Sequence, residues 1–149
     1  MILTHFFLTL TGVYYFLGSL APNGHNIAIL RKGLKSVKLA RTLDAEPQIF
    51  NYDANFVLSF EKNEFIYFLF REFSIEHMKC GKVIYSRIGR ICRNDKGVSN
   101  PGIRYLTTFV KARLNCSVPD SFPFYLNEIQ SAYYLPKMAT VYTIFSTPK

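Results

Sequence analysis

Tryptophan is absent from these 149 residues, cysteine occurs only three times, and glycine and proline contribute eight and seven positions. So little glycine and proline excludes collagen-like and low-complexity classes. The cysteines, Cys80, Cys92 and Cys116, stand too far apart for a CxxC redox or zinc pair. Their odd number leaves at least one unpaired within the chain, and in an oxidising compartment its partner would lie elsewhere. Acidic residues are also scarce, 10 against 18 Lys and Arg, for a net charge of +8. A comfortable membrane span is missing as well: the mostly apolar stretch from Phe6 to Ala21 has 16 residues, short of the roughly 20 that a spanning helix needs.

What the chain does have is apolar mass. Nearly half of it is hydrophobic, with 14 Phe and 10 Tyr, which excludes a disordered tail. Its length suits one domain by the ordinary prior. The positive excess is spread evenly, at +3, +2 and +3 over residues 1–50, 51–100 and 101–149. That pattern favours general solvation over one dedicated polyanion site.

The first 21 residues read two ways. Ser19-Leu20-Ala21 fits a small-x-small cleavage site after an apolar core, as in a signal peptide. The segment ahead of it has no Lys or Arg, and Gly12, Gly18 and the run Tyr14-Tyr15-Phe16 suit a buried strand or hairpin. Strand is the favoured reading. Asn23-Gly24 marks a turn. Leu30, Leu34 and Val37 then recur at helical spacing between basic residues, so Arg31–Arg41 is expected to be an exposed basic connector or a short amphipathic helix.

From Asn55 onward the pattern is β. Strands are expected over 55–60 and 64–71, joined as a hairpin, and over 82–92. The continuous apolar run 64–71 reads as a strand covered on both faces. Gly97 closes a turn over 94–97 with a positive φ, and Pro101-Gly102 marks another. Thr107 to Cys116 alternates, with Thr108, Val110, Ala112, Leu114 and Cys116 expected to point inward. Two more strands fall over 124–135 and 140–147, separated by Pro136-Lys137. Short strands with regular turn signals indicate an all-β sandwich, barrel or propeller.

Chemistry is thin. His77 and Cys80 offer two metal ligands where a structural zinc site takes four, and no nucleophile motif stands behind them. Glu61 and Glu64 flank a hairpin turn and read as solvated carboxylates rather than an acid/base pair. No catalytic, cofactor or metal site is expected. The one chemical motif is the sequon Asn115-Cys116-Ser117, which makes Asn115 a glycosylation candidate if the protein is secreted.

A family likeness emerges over residues 55–135. Asn55-Phe-Val followed by Tyr67-Phe-Leu-Phe-Arg-Glu72 resembles the "NFV…YFFFRE" signature of semaphorins. Cys80-Gly-Lys82, Tyr85-Ser-Arg-Ile-Gly-Arg-Ile-Cys92 with Asn94-Asp-Lys-Gly97, Thr107-Thr-Phe to Asn115-Cys-Ser117, and Phe122-Pro-Phe-Tyr to Gln130-Ser131 continue it in order and with family spacing. Residues 1–54 match weakly, 55–135 strongly, and 136–149 resemble the start of the next strand region. The likeness is nearest to the invertebrate secreted or transmembrane classes and the thrombospondin-repeat class. Leu106 stands where the family has Trp, and Val98 where it has a second glycine.

The resemblance implies part of a sema domain, a seven-bladed β-propeller, with about two blades present. It implies an extracellular guidance ligand that binds plexin receptors, commonly as a homodimer, with no enzymatic step. It further implies that Cys92 and Cys116 are disulfide cysteines whose partners lie further along the family's chain, so that 149 residues are a portion of a domain and fold poorly alone. The rival expectation is a basic module binding heparan sulfate or nucleic acid through Arg31–Arg41, of which nucleic acid is the less expected partner.

Overall fold

The computed structural model describes residues 2–20, 26–34, 39–43, 49–51, 53–74, 81 and 83–147. The turn expected at Asn23-Gly24 and the His77/Cys80 pair lie outside them. Described residues form three β-layers stacked face to face, antiparallel except for one parallel pair in the first. The first sheet starts as a meander of β1 (Ile2–Leu8), β2 (Val13–Ser19), β3 (Ile27–Gly33) and β4 (Leu39–Arg41). The second contains β5 (Asn55–Lys62), β6 (Phe65–Phe73), β7 (Ile84–Cys92) and β10 (Val110–Arg113). Between β7 and β10 the chain departs. There β8 (Val98–Asn100) and β9 (Ile103–Tyr105) cross back, and β9 pairs in parallel with β4 to extend the first sheet. A two-stranded ribbon follows, β11 (Ser117–Val118) with β12 (Phe124–Tyr125). The third layer is the hairpin β13 (Glu128–Leu135) and β14 (Thr140–Ser146), turned by a 3₁₀ segment at Pro136–Met138.

Sequence dictates the stacking most visibly in β6. Ile66, Phe68 and Phe70 point to one face at the strand period of two, and all are fully buried against Tyr15, Leu17 and Ile29 of the first sheet. Leu69, on the opposite face, packs with Phe60 against Ile129 of the third layer. The Phe60 and Tyr134 rings stack at 4.3 Å between centroids. Each such side chain contributes about 1.5–3 kcal/mol on burial. The expectation of a strand covered on both faces holds, because β6 lies inside the middle layer.

The two outer layers keep one face open. Phe6 and Leu8 are about half exposed on the first sheet; Tyr133, Tyr142 and Ile144 are more than half exposed on the third layer.

Three expectations are corrected. The stretch Arg31–Arg41 is not a basic helix or loose connector where it is described: residues 31–33 continue β3, which is hydrogen-bonded between β2 and β4, and Leu39–Arg41 form β4. The helical spacing of Leu30 and Leu34 was coincidental, and Lys35, Val37 and Lys38 lie outside the described residues. The strand expected over 107–116 shrinks to Val110–Arg113. Its inward face is also reversed at the start: Phe109 packs against Phe50 at 5.0 Å and Lys111 reaches Glu72, leaving Val110 and Ala112 exposed. Gly89 causes this, since a Cβ there would sit 2.9 Å from the Phe109 ring. Finally, Glu61 and Glu64 are not simply solvated: Arg93 binds both, at 3.0 Å each.

Candidate functional site

Three polar clusters break the apolar layers of the described residues. The first sits at the end of the face carrying Ile66, Phe68 and Phe70. Glu72 follows at the same period and is 2% exposed. Its carboxylate accepts from Arg87 Nε at 3.2 Å, from Lys111 Nζ, and from the Asn51 amide at 2.9 Å. Two cations from two neighbouring strands and a linker amide therefore meet on one buried anion. That satisfies the charge and ties β6, β7, β10 and the linker before β5 together.

The second cluster follows Cys92. The Asp95 carboxylate accepts from the amides of Gly97, Thr107 and Thr108 at 2.8, 2.9 and 3.0 Å, and from the Thr108 hydroxyl at 2.7 Å. Thr108 Oγ1 in turn accepts from the Cys92 amide at 3.0 Å. Burial opposes ionisation of Asp95, but the Thr108 hydroxyl and the three amides outweigh it and hold the carboxyl below its ordinary value. This knot draws Thr107 and Thr108 off the strand ladder, which is why β10 starts late. Gly97 has φ +72°, as its turn requires, and an added Cβ would lie 3.1 Å from both Ala40 Cβ and Tyr105 O. Gly97→Ala is expected to cost about 2 kcal/mol, seen as a lower urea midpoint of unfolding; an unchanged midpoint would mean that the loop relaxes freely. Val98 adds no strain, since it opens β8 with its side chain exposed. Leu106, in place of the family's Trp, is buried in the main core.

The third cluster is a surface cleft of about 400 Å³ between the second sheet and the β11–β12 ribbon, lined by Tyr85, Arg113, Asn115, Tyr125 and Asn127. Ser86 fixes the backbone that carries Asn127: its buried hydroxyl donates to Asn127 O and accepts from the Ile129 amide, both at 2.7 Å. Arg113 lies over the Tyr85 ring, 3.6 Å from the centroid, and donates to Asn127 Oδ1 at 3.3 Å. Asn115 is exposed at the rim. Beyond it the ribbon presents Val118, Phe122, Phe124 and Tyr125 to solvent, Phe122 almost completely.

The candidate residues do not converge: Asn115 and Cys116 follow the C-terminal end of β10, and Cys92 lies beyond the other end of the β7–β10 pairing. Asn115 lines the cleft, Cys116 anchors the ribbon by accepting from the Leu126 amide at 2.8 Å, and Cys92 ends β7. Among the described residues neither cysteine is joined to another, and both are half-buried. The Glu72 and Asp95 knots left no sign in the sequence beyond the motifs that contain them, because apart from Gly97 their partners come from 12 to 39 residues away. Among the described residues, no three His, Cys, Asp or Glu converge as a metal site, and no helix is long and apolar enough to cross a membrane.

No protein-family model matches the chain. Individual proteins do. It is 46% identical over 128 residues to semaphorin 5c of Drosophila melanogaster, covering 84% of this chain and 12% of that protein. To semaphorin-2A of Schistocerca gregaria it is 42% identical over 118 residues, covering 79% and 17%. Among solved structures, Drosophila semaphorin 2a superposes on 92% of the chain with a TM-score of 0.82 at 36% identity, and semaphorin 1b, solved in a complex with Drosophila plexin A, on 83% with 0.72 at 38%. In each case this chain spans 23% of the solved one. Layers stacked face to face on this scale are blades of a β-propeller, and the propeller is that of a sema domain. The chain belongs to the semaphorin family, as a segment of its sema domain. It spans well under a fifth of the curated relatives just named.

Proposed function

We propose that these residues form part of an extracellular guidance ligand that binds a plexin-class receptor and acts in axon guidance and cell migration, without a catalytic step. The observation that supports this reading is the superposition on semaphorin 1b, a protein solved bound to plexin A, at 38% identity. A propeller offers rigid blades whose loops and edges make contact surface. Homodimerisation would make such a ligand bivalent, so that avidity exceeds single-site affinity. Within the same reading Asn115 carries an N-linked glycan, and Cys92 and Cys116 form disulfides with cysteines outside these 149 residues.

The test is binding of the longest natural form of the protein, produced by secretion, to cells displaying a plexin ectodomain. Saturable binding above that to plexin-free cells is expected. A folded, monodisperse preparation that binds both cell types alike would sink the reading. Heparan sulfate is a subsidiary partner, and two cations of the basic stretch are otherwise engaged: Arg31 is half-buried, donating to Arg93 O at 3.4 Å, and Arg41 lies over the Tyr105 ring.

A further inference from the structure

We propose that the cleft between Tyr85, Arg113, Tyr125 and Asn127 is a carbohydrate subsite, and that its occupant is the innermost N-acetylglucosamine of the chain's own Asn115 glycan. This rests on the proposal that Asn115 is glycosylated. Asn115 lines the cleft it would fill, so the first sugar is delivered there by its covalent link rather than by diffusion. At about 400 Å³ the cleft falls within the range of small-ligand sites.

Its chemistry suits an amphipathic sugar. Tyr125 is 42% exposed, which leaves ring surface for the apolar C–H face of a pyranose. Asn127 Oδ1 accepts one bond from Arg113 and keeps a second lone pair for an acetamido N–H. The Arg113 guanidinium, held over the Tyr85 ring, presents further donors to sugar hydroxyls. The Ser86 bridge to Asn127 O and the Ile129 amide fixes the backbone at Asn127, so that side chain is placed before the sugar arrives. A docked glycan would lie along the ribbon beside Tyr125 instead of projecting into solvent.

The experiment uses the longest natural form secreted from insect cells. Glycopeptide mass spectrometry first reads occupancy of Asn115. Release of the glycan by a peptide N-glycosidase is then timed on native and on denatured protein. Docking predicts slow native release in wild type, accelerated about tenfold by Tyr125→Ala, with equal rates after denaturation. Asn127→Ala is the second variant, because its backbone carbonyl still accepts from Ser86; it should accelerate release in the same direction. An unmodified Asn115 overturns the glycosylation reading and this proposal together. A modified Asn115 released from native wild type as fast as from both variants overturns the docking alone.

Discussion

Glu72→Ala is expected to destabilise the protein by about 3–5 kcal/mol, the range for removing one partner from a buried ion pair. The size follows from what remains behind. Arg87 is 6% exposed and Lys111 is half-buried, and both donate to this carboxylate. Without it, two cations on adjacent strands face one another in an apolar setting, beside Phe70. Glu72→Gln preserves shape and one acceptor, and should recover part of the loss. Replacing Glu72, Arg87 and Lys111 together by Met should be milder than Glu72→Ala alone, because no orphaned charge is left. Thermal or urea unfolding of the longest secreted form measures all three. If Glu72→Ala shifts the midpoint no more than an exposed substitution such as Lys137→Ala, then the triad is not what holds β10 to β7.

Asp95→Ala comes second, at about 3 kcal/mol or more, given roughly 1.5–3 kcal/mol for a single hydrogen bond to a charged group and four such bonds to this one. A pH signature separates it from ordinary packing loss. The folded carboxyl is held below its ordinary value of 3.8. The unfolded chain therefore takes up a proton first as pH falls. The stabilisation is present in full above the unfolded value and is lost as pH drops through the folded one. In wild type, stability should decline over that acid window, and Asp95→Asn should flatten that part of the decline. An identical acid limb in both proteins would show that Asp95 is not held ionised by these donors.

Much of this could be read before any coordinates. Turn chemistry located Gly97 and Gly102, both at positive φ. The period of two in Ile66, Phe68 and Phe70 located the core face of the middle layer, and the ordered motifs from Asn55 to Ser131 located the family. What stayed hidden has a common physical cause. Pairing in parallel between β4 and β9 joins residues more than sixty apart, and no local pattern encodes such a partner. Helical spacing in Leu30 and Leu34 was local too, and burial between β2 and β4 overrode it. The alternation from Thr107 to Cys116 was real as sequence, but Asp95 drew its first residues away and Gly89 let Phe109 lie flat on the sheet. Asn115 was legible as a sequon, whereas its cleft depends on Asn127, whose backbone is held by Ser86 from forty-one residues away.

The return of β8 and β9 to the first sheet has a consequence for how the chain folds. The segment between the third and fourth strands of one blade completes the edge of the blade before it, so the two blades cannot mature in succession as independent modules. The first sheet waits for residues 98–105, and these are positioned only after β7 exists. The blades thus share one cooperative unit with a high contact order, which slows folding relative to a tandem of self-contained meanders. A boundary drawn between them, for expression or for grafting, would cut through a sheet rather than a linker.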